Sequence, residues 1–152
     1  MPNAVITHPM TDAFTSNQVT AVTTNRTTDI GLLLLRVGVS LSLFLKHGLE
    51  KLTGYSRMVQ HFPDPIHIGA HASLAYALVT DGICTILIAA GLFTRPASAL
   101  LLINLLTAFF FVHHAAFFAD GHVELVAVYI LVFAAILVLG PGGLSIDARR
   151  KK

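Results

Sequence analysis

The chain has 152 residues, of which 55% are hydrophobic and 12% charged, with a mean hydropathy of +0.74 and a formal net charge of +2. A soluble domain carries about 25% charged residues, so this composition excludes an ordinary water-soluble protein and points to a chain whose surface meets lipid. The clearest basic run, Arg149-Arg150-Lys151-Lys152, is too short to form a nucleic-acid surface, and the single cysteine, Cys84, excludes an internal disulfide or a CxxC redox pair. Cys84 sits in an apolar run, where a free cysteine packs as a small hydrophobe.

Residues 1–29 hold eight threonines, two prolines and no sustained apolar periodicity, so they read as a mobile or surface-lying tail. No apolar stretch begins before Ile30, and no A-x-A-like cleavage site follows it, so the first apolar run is expected to be a retained helix rather than a signal peptide. Four apolar segments then occur, at about Ile30–His47, Ala70–Phe93, Pro96–Phe118 and Val123–Leu139. Each is close to the ~20 residues a helix needs to cross about 30 Å of hydrocarbon. The sequence therefore predicts an all-α polytopic membrane protein, a four-transmembrane-helix bundle over 30–148, with residues 149–152 as a basic tail. Thr94-Arg95-Pro96 reads as a tight helix-to-helix turn with Thr94 as N-cap. Asp120-Gly121 opens the fourth helix and Gly140-Pro141-Gly142-Gly143 closes it. The one long link, Gly48 to Gly69, contains the rigid Phe62-Pro63-Asp64-Pro65 turn and a short amphipathic piece near Tyr55–Phe62.

With four spans, Arg26, Arg95, Arg149, Arg150, Lys151 and Lys152 share one side, against Lys46, Lys51 and Arg57 on the other. The positive-inside rule then places both termini in the cytoplasm. The same connectivity gathers His47, His61, His67, His71, His113, His114 and His122 at the opposite face, with Glu50, Asp64, Asp120 and Glu124. Histidine beside carboxylate is the raw material of a metal site, a proton relay or a quinone-headgroup site. Histidines also tolerate the membrane interface without any role, and Asp120 and Glu124 suit a helix N-terminus electrostatically.

A deeper polar set comprises Arg36, Asp81 and Asn104. At 1.5 Å per residue, Arg36 lies about 9 Å and Asn104 about 12 Å inside the membrane edge, with Asp81 near the middle. Unpaired ions at that depth cost several kcal/mol, so these side chains are expected inside the bundle and in contact, with Arg36 reaching Asp81. On the first helix Arg36, Ser40, Leu43 and His47 form one stripe. Gly38 and Ser42 offer a small-xxx-small contact. On the third helix Asn104, Thr107, Phe111 and His114 share a face and His113 points elsewhere. His113 nonetheless ends that helix at the depth of His47 and of Glu124 in the first turn of the fourth. The candidate ligand-binding residues are therefore His47, Lys51, His113 and Glu124, with His47, His113 and Glu124 as the metal-ligating candidates.

Several motifs stand in a recognisable order: His47-Gly48-Leu49-Glu50-Lys51-Leu52, Phe62-Pro63-Asp64-Pro65, Gly91-Leu92-Phe93-Thr94-Arg95, His113, Glu124-Leu125, and Gly140-Pro141-Gly142 followed by Ser145 and Asp147. In these the chain resembles the DoxX family of small four-helix membrane proteins, over about residues 30–148. It departs in the second helix, where many relatives carry a glutamate and this chain has Asp81. The resemblance implies the bacterial or archaeal inner membrane. It also implies a setting in quinone-linked sulfur oxidation, thiol and oxidative-stress complexes or metal stress, with some members serving as small subunits beside a catalytic partner. The sequence holds no haem-binding CxxCH, nucleotide-binding glycine loop or GxSxG elbow. Three function classes remain open. One is a membrane subunit of a redox system, with quinone at the histidine-rich face and a redox enzyme as partner. Another is a small transporter or metal-handling protein binding a transition metal. The third is an assembly partner or homo-oligomer with no site of its own.

Overall fold

The structure, a computed structural model, describes residues 26–114 and 123–150. The described residues form helices α1 (Arg26–Met58), α2 (Ala70–Ala90), α3 (Thr94–Val112) and α4 (Val123–Leu139), with a short α5 (Ile146–Arg150). No strand occurs among them. Three of these helices, α1, α2 and α3, are long and apolar enough to cross a membrane. The 17 described residues of α4 are apolar and about 25 Å long, at the lower end of the length that a spanning helix needs. Of the Thr-rich tail expected over residues 1–29, residues 1–25 fall outside the described residues, as do the Asp120-Gly121 opening and His122, while Arg26–Asp29 form the first turn of α1 rather than tail.

The first helix is longer than its apolar run. α1 continues 11 residues past His47, so the first half of the piece expected near Tyr55–Phe62 is the end of this helix rather than a separate element. Gly48 does not break it, because a π turn over Phe44–Gly48 takes the glycine in helical geometry. α2 ends on Gly91, whose left-handed backbone (φ 73°) lets Leu92 N–H reach back to Leu87 O at 2.9 Å. That arrangement is a Schellman-type stop, which a side chain on Cβ would disfavour. α3 was expected to reach Phe118 but its regular part ends at Val112, followed by His114 at φ 50°.

Packing inverts the usual solvent logic. The core joins Leu43 of α1, Cys84 and Ile88 of α2, Leu101 and Leu105 of α3, and Tyr129, Phe133 and Ile136 of α4. Leu34, Leu131 and Val138 stand 68–74% exposed on the outside, a disposition that lipid tails solvate and water does not. Cys84 is free and buried in the core, as its apolar run implied. The long face of α3 lies against α4, and α1 against the second half of α2. Gly38 has nothing within contact range, so the expected small-residue contact there does not form. The close approach is at Gly48, where an added Cβ would sit 2.5 Å from Asp81 O.

Candidate functional site

Antiparallel pairing of α1 and α2 sets which polar groups meet. Gly48 lies against Asp81, and Arg36 lies against Gly91, where an added Cβ would be 2.5 Å from a guanidinium nitrogen. Asp81 and Gly91 are ten residues apart on one helix, or roughly 15 Å, beyond the reach of one arginine side chain. The expected contact between Arg36 and Asp81 therefore does not form, and each side chain belongs to a different end of the molecule.

At one end Arg36, only 2% exposed, donates to Pro141 O and, at 3.1 Å, to Leu144 O. These are carbonyls released where α4 stops at Gly140 (φ 84°) and Gly142 (φ 73°). Asp29 accepts from Gly143 N at 2.6 Å. Asp147 accepts from Phe93 N (2.9 Å), Thr94 N (3.0 Å) and Thr94 Oγ1 (3.1 Å). The start of α3 is thus capped from the far end of the chain rather than by Thr94, whose hydroxyl is one of the donors. Partial burial pushes the Asp147 carboxyl up, but those three hydrogen bonds and the Arg150 charge outweigh it and hold it below the usual carboxylate range.

At the other end the bundle opens into a cavity of about 440 Å3. Leu43, Met58, Phe62, Pro65, Ile66, Ile103 and Val126 supply its apolar wall, and His47, Lys51, Asp81, Asn104 and His113 are among its polar lining groups. Asp81 is the hub. Its Oδ2 pairs with Lys51 Nζ at 2.8 Å, and its Oδ1 accepts from Asn104 Nδ2 at 3.0 Å. Lys51 and Asp81 side chains are 11% and 7% exposed, so this ion pair is shielded on nearly every side. Lys51 also approaches His47 O at 3.4 Å, and Tyr129 OH shares a 2.8 Å hydrogen bond with Ser42 at the border of α1 and α4. Over the cavity, the 59–69 loop is tied by Asp64, which accepts from Ile68 N (3.1 Å), Gly69 N (2.7 Å) and Ser73 Oγ (2.7 Å). The Ser73 bond foremost, with the Gly69 and Ile68 amides and the His67 charge, holds the Asp64 carboxyl below its usual range despite some desolvation.

Three π turns converge on this end: Phe44–Gly48, Val79–Cys84 and Ala108–Val112. Each widens a helix by one residue and displaces a carbonyl from its regular partner, an arrangement frequent at functional sites. Thr85 Oγ1 lies 2.8 Å from Asp81 O and 2.7 Å from Gly82 O, so one hydroxyl serves carbonyls loosened by the turn. The turn in α3 also changes the helical phase. His113 lines the cavity with Asn104 and Thr107, while Phe111 and His114 are exposed, the reverse of the face an unbroken helix gives.

A comparison with protein-family models matches residues 31–114 to the family described as DoxX. The chain belongs to the DoxX family. No curated protein matches it, and no solved structure does. The DoxX match takes in His47, Lys51, Asp81, Asn104 and His113, so the polar lining of the cavity comes from the matched segment. Glu124, Tyr129 and the Gly140–Asp147 partners of Arg36 lie beyond it.

Of the four candidate ligand-binding residues, this DoxX protein brings His47, Lys51 and His113 to one cavity. Glu124 is exposed in the first turn of α4 and is absent from the lining. Asp81 and Glu50 supply the carboxylates of the lining instead, and of the two only Asp81 makes an ion pair with Lys51. Asp81 was singled out for depth but assigned to Arg36, because sequence spacing does not give the antiparallel register. Among the described residues no three His, Cys, Asp or Glu side chains come together as a metal set, so His47, His113 and Glu124 do not assemble as one. His61, His67, His71 and His114 are exposed.

Proposed function

We propose that this DoxX protein is a membrane-embedded quinone-binding subunit that works beside a redox partner. The observation that carries the reading is a single ion pair, Lys51–Asp81, held with Asn104 at the wall of a mostly apolar 440 Å3 cavity. Small-molecule sites are mostly apolar clefts with a few convergent polar groups. An isoprenoid quinone matches that division: its tail suits Ile66, Ile103 and Val126, and its carbonyls need donors. Lys51 Nζ, Asn104 Nδ2 and the imidazoles of His47 and His113 are the donors at hand. Asp81 can in turn accept from the hydroxyls of the reduced form.

We further infer four spans in the inner membrane with both termini cytoplasmic, since six basic residues favour that side against three. An impermeant maleimide should label Ser56→Cys in intact cells and leave Arg149→Cys unlabelled; the opposite pattern reverses the assignment.

The test of binding is direct. The full chain, purified in mild detergent, is extracted and its lipids weighed by mass spectrometry. Near-stoichiometric isoprenoid quinone is expected, falling at least about tenfold in Asp81→Leu and Lys51→Met, each removing one partner of a shielded pair. Equal quinone in wild type and both variants, with the fold intact, refutes a site at this cavity.

A further inference from the structure

A second cleft lies at the opposite end of the bundle, about 390 Å3 in volume, lined by Phe93, Arg95, Pro96, Pro141, Asp147 and Arg150. Its two guanidiniums come from distant parts of the chain and meet because Asp147 ties α5 to the start of α3. Among the described residues neither arginine makes an ion pair at salt-bridge distance. Arg95 has one long contact, 3.4 Å to Val138 O, and Arg150 lies over the Phe93 ring, 5.7 Å from its centroid. Both are exposed. Stacking on an aromatic face holds a guanidinium in place while leaving its N–H edge free.

The carboxylate in the cleft offsets only one of the two charges. Asp147 keeps its negative charge, and Arg150 acts on it electrostatically, but both its oxygens are directed at Phe93 N, Thr94 N and Thr94 Oγ1; two guanidiniums against one carboxylate leave the cleft with a net positive charge. Its surroundings are apolar and exposed: Phe93 55%, Val138 74%, Leu139 61% and Ile146 42%. Two free guanidiniums ringed by exposed hydrocarbon mark the boundary where lipid headgroups meet acyl chains.

We propose that Arg95 and Arg150 bind the phosphate of an anionic phospholipid, whose acyl chains lie along Val138 and Leu139. The ligand's defining chemistry is a phosphate that accepts from two forked donors. The lipid, rather than free phosphate, is favoured because the cleft is open on an apolar flank.

The full chain in mild detergent can be examined by native mass spectrometry with phosphatidylglycerol, phosphatidylcholine or inorganic phosphate added separately. Phosphatidylglycerol should be retained preferentially, and Arg95→Gln with Arg150→Gln should cut retention by on the order of tenfold or more. Arg95→Lys keeps the charge and should lose less. Arg149→Gln removes the same charge beside the cleft, outside its lining, and should change retention little. Melting of each variant shows that the fold is kept; if Arg95→Gln does not fold, the comparison rests on Arg150→Gln against Arg149→Gln. Equal retention of phosphatidylglycerol and phosphatidylcholine overturns the proposal, as does an equal loss in Arg149→Gln. Saturation by inorganic phosphate that displaces the lipid overturns the lipid as the source.

Discussion

The two ends of this small bundle each bury a charge, and they treat it differently. Arg36 donates to two carbonyls of the 141–144 turn, groups that cannot titrate, and leaves its buried Nε without a partner. Asp81 is met by side chains, Lys51 and Asn104, at the edge of an open cavity. A charge satisfied by fixed backbone behaves as a rivet. One satisfied by side chains that an incoming ligand can recruit is available for binding. Burial alone, nearly equal at 2% and 5%, does not separate the two cases; the identity of the partners does.

The largest effects should come from breaking the Arg36 end. Arg36→Met removes two hydrogen bonds from a charged group and leaves two carbonyls without it, a loss of about 3–5 kcal/mol. Gly91→Ala drives a Cβ to 2.5 Å from the guanidinium and 2.6 Å from Ser145 Cβ, in a left-handed conformation (φ 73°). That change should cost about 2–4 kcal/mol. Detergent melting reads both, and quinone retained per folded molecule should not change. A variant here that melts as wild type contradicts the rivet reading.

Intermediate effects sharpen the contrast through double-mutant cycles. Lys51→Met and Asp81→Leu should couple by about 1–3 kcal/mol, because each single change strands the other's charge. Arg36→Met and Asp81→Leu should be additive within about 0.5 kcal/mol, since roughly 15 Å of helix separates the two levels. Strong coupling of Arg36 with Asp81 would restore the pairing that depth alone suggested. Gly48→Ala offers an independent route, since its Cβ meets Asp81 O at 2.5 Å and should loosen the Lys51–Asp81 pair and ligand retention together.

The smallest effect is in acid. Asp147 and Asp64 both have carboxyls held below their unfolded values by hydrogen bonds. Each therefore contributes stability that is fully present above the unfolded value, about pH 4. That contribution is lost as pH falls through the lower, folded values. Asp147→Asn should flatten the melting temperature's dependence on pH below about 4 and leave it unchanged near neutrality. A flattening confined to the alkaline side would have the wrong sign for this account.

Much of this was legible in the sequence, for identifiable reasons. Apolar length and the Gly140-Pro141-Gly142 stop gave α2 and α4 nearly to the residue at several ends. Turn connectivity alone placed His47 and His113 at one end. The buried stripe of Arg36, Ser40 and Leu43 followed from helical spacing. What failed did so where the helix departs from 3.6 residues per turn. The π turn over Ala108–Val112 rotated His113 inward and His114 outward, and the one over Phe44–Gly48 carried α1 on past His47. The turn over Ala108–Val112 has no proline or glycine to mark it, and Gly48 in the other reads as a helix end rather than as a π turn. Partner assignment failed for a separate reason. Depth ranked Arg36 and Asp81 together, but which of them Lys51 would reach depends on the α1–α2 register, which the close approach at Gly48 fixes and sequence spacing does not.

The central claim is that ligand binds at the Asp81 end and not at the Arg36 end. A photoreactive quinone analogue, crosslinked to the full chain in membranes and mapped by peptide mass spectrometry, tests it most directly. Label is predicted on the peptides bearing Leu43–Met58 and Ile103–His113, which line the cavity, and natural quinone should compete it away. Asp81→Leu should lose the label while Arg36→Met, in its folded fraction, keeps it. Label spread evenly along the lipid-facing residues, or concentrated around Phe93 and Pro141, would contradict the account.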